Sequence, residues 1–573
     1  MNISSALAGF ALLALGAAVG LLFWVRVLDP DVLMHLKTGE WIVRHRAVPK
    51  VDMFSANAGG LPWTTHEWLW QALAYLCYRA GEWKALYAAR LVLVVGALGA
   101  CALAARICGA STLACIAACI LATGPLASMA EIRPQLASEL LFGLVVFGVQ
   151  APFGVQAPFG VQALAWAGRT IPGINEQSNQ PRIKPLLRMI LLPPLFILWA
   201  NLHGAVLLGF IVLACAVIDA AIRNRAAIKP ISITLVLCML AAMLNPHGYE
   251  IYLFPFKVVG EESFRAQIYE WSRPDFSVPF RPFWAFAIVA VLLATTAWRR
   301  ISIFQWLMFG GFLAGAVMSR RQIPFFALAA IGPVAIGIES LIARIRLPER
   351  QRWLGQIAVL MLTCVMIPVS MTCYASAGHK LGIGLAQNRF PEVATNRLAH
   401  LHTDGALLND YNDGGFLIWR LYPEWPVTMD GRVDVYGPEL VQEYERVWAG
   451  APGWKETLAK WRVQAIVGRF EITRALPKNN LYHELAGSPE WALVYWDEVS
   501  QLFLRRGGSL DSSSLKPFRV LAPGLSLQHM AARLKTNDDW LALGADLRRS
   551  VSEVPENRRA AALLKQYEAA VKR

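Results

Sequence analysis

The stretch 6–27, ALAGFALLALGAAVGLLFWVRV, runs straight into Leu28-Asp29-Pro30-Asp31-Val32-Leu33-Met34-His35. An apolar run of this length is enough to cross a bilayer as a helix. Two carboxylates directly beyond it are costly to hold at a membrane mouth and mark a site by default. A second polar group follows in the same loop, Trp63-Thr64-Thr65-His66-Glu67-Trp68.

The chain has 573 residues, of which 56% are hydrophobic and 16% charged. A soluble domain carries roughly 25% charge, so this composition describes a polytopic membrane protein with a soluble part attached. The net charge of +14 comes from 54 Lys and Arg against 40 Asp and Glu. Basic loops on the cytoplasmic side of a membrane account for that excess, and no nucleic acid partner is expected. The nine cysteines sit almost entirely in apolar segments, and none follows Cys373. A disulfide framework is therefore not expected in the C-terminal part. The N-terminal stretch has no basic leader and reads as a first anchor.

Apolar runs recur near 6–27, 84–105, 111–128, 135–166, 187–200, 204–222, 231–246, 283–298, 302–319, 323–343 and 354–374. They predict about eleven spans. Short basic loops follow alternate spans: Arg106, then Arg169 to Arg188, Arg223 to Lys229, Arg299 with Arg300, and Arg344 to Arg352. Placed in the cytoplasm, these loops put the N-terminus inside and the C-terminal domain outside the inner membrane. Asp29, Asp31, His66, Glu67, Arg133, His203, His247, Arg320 and Arg321 then fall on one extracytoplasmic face, which the assignment did not assume. The segment 68–78 mixes aromatic and apolar residues and predicts a helix lying in the interface. A six-residue repeat begins at Phe147 and again at Phe153 and reads as a local duplication. After Tyr374, apolar runs at 406–408, 426–429, 464–467 and 492–495 alternate with helical stretches, predicting a small α/β domain. The expected division is a membrane domain 1–374 with a long outer loop 28–82, an α/β domain 375–510, and a helical tail 511–573.

Several residues on the outer face suit chemistry. Asp29, Asp31 and Glu67 can take a proton from an acceptor hydroxyl. Asp29 and Asp31 are also candidate ligands for a hard cation such as Mg2+ or Mn2+. Arg133, Arg320 and Arg321 suit two-point contact with phosphate. His35, His66, Asn201, His203 and His247 are further polar candidates. Each has a plainer alternative: helix capping for the aspartates and Glu67, interfacial snorkelling for the arginines, and turn chemistry for Asn201-Leu202-His203-Gly204 and Asn245-Pro246-His247-Gly248. The Asp- and Gly-rich stretches 409–416 and 429–437 read either as sugar or cation sites or as tight turns after strands.

These motifs together resemble the GT-C superfamily of membrane glycosyltransferases. The residues that carry the resemblance are Asp29-x-Asp31-x-x-x-His35-Leu36-x-x-Gly39, His66-Glu67-Trp68-Leu69, Arg133-Pro134-Gln135, Asn201-Leu202-His203-Gly204 and Asp430-Gly431-Arg432-x-Asp434-x-Tyr436-Gly437. The pattern is similar to a group of bacterial GT-C-like proteins, from which Met34 and the Phe147 repeat depart. The resemblance implies inverting transfer of a sugar from a polyprenyl-phosphate donor to an extracytoplasmic glycan, lipid or protein, with Asp29 or Asp31 as base or metal ligand. Two other functions remain open on the sequence. One is a transporter or flippase of lipid-linked glycans. The other is a non-catalytic membrane assembly factor.

Overall fold

A computed structural model describes residues 3–129, 131–150, 189–260, 269–344, 352–401, 403–470, 480–486, 488–511 and 513–572. The chain divides into two compact units. One comprises Met1–Val27 and His66–Gly384, the other Leu28–Thr65 and Leu385–Arg573.

The first unit is helical. Among the described residues seven helices, from Ala6–Phe23 to Trp353–Ser376, are long and apolar enough to cross a membrane. Four shorter apolar helices accompany them, Thr112–Ala127, Gln135–Gln150, Leu192–Leu202 and Ile303–Met318. Together they stand on the apolar stretches read from the sequence. A helix of 16 residues reaches about 24 Å, against about 30 Å of hydrocarbon. Length therefore counts fewer spans than hydropathy does. Leu13, Val92, Leu292 and Leu362 are each more than half exposed on these helices. So many outward apolar side chains on long apolar helices fit lipid better than water. The chain is a multi-pass membrane protein.

The segment Trp68–Ile107 is helical on both sides of a break. Gly81 (φ −162°, ψ 27°) and Glu82 (φ 50°, ψ −141°) leave the helical region. The expected helix at 68–78 is thereby separated from the span that follows. The helix Gln135–Gln150 packs along this second part. The Phe147 repeat lies outside the described residues from position 151 onward.

The second unit holds a four-stranded mixed sheet: β1 (Ala406–Asn409), β2 (Val463–Arg469), β3 (Trp491–Trp496) and β4 (Ser500–Arg505). The spatial order is β1-β2-β4-β3, with β1 and β2 parallel and the other pairs antiparallel. The helices Gly414–Leu421, Val433–Trp448 and Trp454–Lys460 make the parallel crossover, as such a connection requires. Most strand residues are buried, which explains their continuous apolar runs. The run at 426–429 forms only single bridges, Val427 to Ser55 and to Leu407. Pro426 lacks the N–H that a regular ladder needs. The strand β4 had no counterpart in the sequence reading. Asp497 tightens the β3–β4 turn by accepting from Val499 N (2.8 Å) and Ser500 N (2.7 Å). The tail helix Asn537–Glu553 is tied to the sheet by Trp496 Nε1, which donates to Ser550 Oγ at 2.9 Å.

Candidate functional site

In the membrane unit, a polar cluster forms where four helix ends meet. Glu67 opens the helix Trp68–Ile107 at its N-cap position, and its own side chain makes no cap hydrogen bond. Thr65 Oγ1 instead donates to Pro49 O at 2.6 Å. The Glu67 carboxylate turns to two imidazoles, 3.3 Å from His66 Nε2 and 3.6 Å from His203 Nε2.

His203 follows the helix Leu192–Leu202 in extended backbone (φ −165°, ψ 141°) and is only 3% exposed. Arg321 Nη2 lies 3.0 Å from its Nε2. A guanidinium has donors only, so Nε2 accepts and the ring proton sits on Nδ1. Nδ1 then donates to Ser138 Oγ at 2.7 Å, and Trp199 Nε1 donates to the same oxygen at 2.7 Å. His203 is thus a neutral ring fixed in one tautomer by Ser138, Trp199 and Arg321. Gly204, the next residue, lets His66 close in, since a Cβ there would stand 3.1 Å from its ring. Asn201 is structural: Oδ1 accepts from Trp68 Nε1 (2.8 Å), while Nδ2 donates to Ile197 O and Leu244 O. His247 lies in a turn closed by Asn245, whose side chain caps the His247 N–H at 2.7 Å.

The three candidate arginines are not equivalent. Arg133 pairs with Glu270. Arg320 is buried, pairs with Asp275 at 3.4 Å and lies over the Phe280 ring. Both charges are thus met by carboxylates of the 269–277 turn. Arg321 lies over Trp271 at 5.5 Å and faces the neutral His203. Among the described residues no carboxylate forms an ion pair with it.

In the second unit, Asp29 and Asp31 flank Pro30 at the start of the helix Asp31–His45. Asp29 Oδ1 accepts from Asp31 N at 3.0 Å, so Asp29 orders this helix start. Asp29 is 8% exposed and His35 is 6% exposed, whereas Asp31 is only partly buried. Gly431 lies so close to Asp31 that a Cβ there would overlap the Asp31 carboxylate.

The stretch around Gly431 is a buried polar core. Asp430 accepts from Arg432 N (2.9 Å), Arg432 Nε (2.8 Å), Arg432 Nη2 (2.6 Å) and Tyr436 Oη (2.6 Å). Arg432 Nη1 reaches Asp52 at 2.7 Å, and the guanidinium lies over Phe54 and Trp63. Burial pushes the Asp430 carboxyl up, but the Arg432 charge and the hydrogen bonds from Arg432 and Tyr436 outweigh it. The net effect holds Asp430 below the usual carboxylate range. Likewise Asp413 in 409–416 pairs with Arg469 at 2.6 Å, and Asp410 accepts from Asn412 N at 2.9 Å. These Asp and Gly residues build structure; the turn alternative describes them. Ser138, Trp199 and Asp52 carried no spacing signal that the sequence reading could use.

Among the described residues no three His, Cys, Asp or Glu side chains form a metal cluster, and Asp29 Oδ1 is engaged by a backbone N–H.

No family model matches the sequence, and no curated protein matches it. Solved structures do match. The archaeal oligosaccharyltransferase AglB from Archaeoglobus fulgidus, in complex with an inhibitory peptide and a dolichol-phosphate, aligns with a TM-score of 0.56 at 11% identity, covering 85% of this chain and 73% of that one. The Archaeoglobus fulgidus oligosaccharyltransferase in complex with Zn and sulfate gives 0.52 at 10% identity, over 86% and 73%. ArnT from Cupriavidus metallidurans in the apo state gives 0.50 at 14% identity, over 86% and 97%. At these identities the likeness is one of fold. The chain shares the fold of these solved structures.

Proposed function

We propose, from the GT-C fold and the helix-end cluster around Arg321, that the chain is an integral membrane glycosyltransferase. It moves a sugar from a polyprenyl-phosphate donor to an extracytoplasmic acceptor with inversion. The observation that carries this reading is Arg321, a partly buried guanidinium beside a neutral His203 and over an aromatic face. A phosphate ester is the anion such a group suits. The solved neighbour in complex with a dolichol-phosphate supports the same class of donor.

In the reaction the acceptor oxygen attacks the anomeric carbon. The bond from that carbon to the donor phosphate oxygen breaks, and the acceptor proton passes to a carboxylate. Polyprenyl phosphate leaves with the bonding electrons, its charge met by Arg321. Asp31 is the first choice for the base. It is less buried than Asp29, and Asp29 already accepts from the Asp31 N–H. Arg133 and Arg320 serve as supports for the 269–277 turn.

A second reading, a flippase of lipid-linked glycans, is favoured by the buried Arg90 and Glu139 inside the membrane unit, since buried intramembrane charges often mark transport paths. One assay separates the two readings. Purified protein in lipid is given a panel of polyprenyl-phosphate sugars, and release of polyprenyl phosphate is followed. Asp31→Asn should lower turnover by about a hundredfold or more, with Asp29→Asn less affected. Loss in Asp29→Asn alone would move the base to Asp29. No release from any donor, together with full rescue of a deletion strain by both variants, would end the transferase reading.

A further inference from the structure

The helix Ile323–Arg344 has 22 residues and so measures about 33 Å, close to the ~30 Å of hydrocarbon in a bilayer. Arg321 stands just before its first residue. Its last turn therefore lies at the other end of the membrane unit, away from the cluster around Arg321 and His203.

At that end the helix Arg281–Thr296 comes close to it. A Cβ on Gly337 would overlap the Leu293 backbone, and Thr296 Oγ1 donates to Gly337 O at 3.3 Å. The close approach gathers three guanidiniums. Arg344 Nη2 donates to Thr296 O at 2.8 Å. Arg300 Nη1 donates to Ser340 Oγ at 3.0 Å, and its Nη2 lies 3.7 Å from Glu339. Arg299 lies over the Trp298 ring at 5.0 Å. All three arginines are exposed, and Trp298 is 59% exposed.

Among the described residues Glu339 is the one carboxylate paired with any of the three, and it also accepts from Ser111 N. The carboxyl ends of the two helices offset about half a charge each, so a net positive charge remains. A guanidinium has five N–H donors, and Arg344 and Arg300 spend only one or two of theirs on the protein. Capping explains Arg300 and Arg344, but it does not explain Arg299. Beside the arginines, Ile288 and Leu292 are 60% and 61% exposed. They stand one turn apart on one face of their helix and form an apolar ridge leading to this corner.

We propose that the corner holds an anionic phospholipid. The headgroup phosphate oxygens accept from Arg299, Arg300 and Arg344, and an acyl chain follows Ile288 and Leu292. Guanidinium suits phosphate at two points, a Trp ring settles at the headgroup level, and basic groups at a membrane surface favour anionic lipid. Free phosphate would use the arginines but neither Trp298 nor the ridge. The site lies at the end opposite Arg321 and does not rest on the transferase reading.

The test uses the full chain purified in detergent, with retained lipid followed by native mass spectrometry. The probes are phosphatidylglycerol, phosphatidylcholine and inorganic phosphate. The wild type should retain phosphatidylglycerol at least about tenfold better than phosphatidylcholine. Arg299→Gln combined with Arg344→Gln should remove that preference. Trp298→Glu sets a carboxylate at an exposed position and should remove most of it, which keeps the test decisive should the paired variant fail to fold. A control removes two exposed charges elsewhere at the same end, Arg225→Gln with Lys229→Gln. Their helices belong to this end because Asp219, one turn before Arg223, accepts from Phe304 N at 3.1 Å, just beyond Arg300. The control should leave the preference intact. The proposal is overturned if the wild type shows no preference, or if the preference survives Trp298→Glu or the Arg299 and Arg344 pair. Equal loss in the control would mean general charge attraction in place of a site and would also overturn it, as would displacement of the lipid by inorganic phosphate alone.

Discussion

His203 and Arg432 show what a single side chain does once its partners are known. His203 is held as a neutral ring because Arg321 can only donate to it, and Ser138 takes its remaining proton. Arg432 is fully enclosed between Asp430 and Asp52. Removing one member of such a pair leaves an uncompensated buried charge, at a cost of about 3–5 kcal/mol. Asp430→Asn should therefore strongly raise amide exchange across residues 427–436 in the full protein. The pH dependence has a definite sign. The folded carboxyl of Asp430 lies below its ordinary value of 3.8. Its stabilising contribution is complete above that value and is lost as the pH falls through the lower folded value. Exchange over 427–436 should stay flat from neutrality down to that range and then rise. In Asp430→Asn this acid limb should be missing.

At the level of elements, the break at Gly81 and Glu82 decides how the first part of the helix Trp68–Ile107 is oriented. Glu82 has φ 50° and ψ −141°, a region that suits glycine and strains other residues. Glu82→Gly should relieve that strain and stabilise the fold by about 1 kcal/mol, seen as a raised thermal unfolding midpoint in detergent. A lowered midpoint would mean that the Glu82 side chain contributes more than its backbone costs. The mixed sheet teaches a related lesson. Its strands read as apolar runs, but β4 (Ser500–Arg505) follows β3 after only Asp497, Glu498 and Val499, and so gives no separate signal. The 426–429 run looked like a strand and is held by single bridges.

On the scale of the whole molecule, the loop segment Leu28–Thr65 belongs with Leu385–Arg573. Asp52 meets Arg432, Ser55 Oγ lies 2.7 Å from Tyr436 Oη, and Phe54 lies beneath the Arg432 guanidinium. Residues nearly four hundred positions apart therefore share one buried core. Asp52→Asn, a change in the first loop, should raise exchange at 430–436 by about a hundredfold, the equivalent of about 3 kcal/mol. The membrane helices should exchange as before. Equal protection in the variant and wild type would show that this core does not depend on the loop.

The membrane class and the positions of the apolar helices were legible from the chain itself. Hydropathy over some twenty residues is a local property, and lipid leaves a backbone little choice but the helix. Glu67, His203 and Arg321 stand out against apolar neighbours in the sequence, and the structure brings them to one cluster. The partners of the candidate arginines were not legible. Arg133, Arg320 and Arg321 look alike in sequence, and only the tertiary structure gives carboxylates to the first two and a neutral ring to the third. The same holds for Asp430-Gly431-Arg432, which in sequence could be either a ligand site or a turn and folds as a buried ion-pair core. Whether a charge is available for a ligand depends on which opposite charge reaches it, and contacts between distant residues decide that.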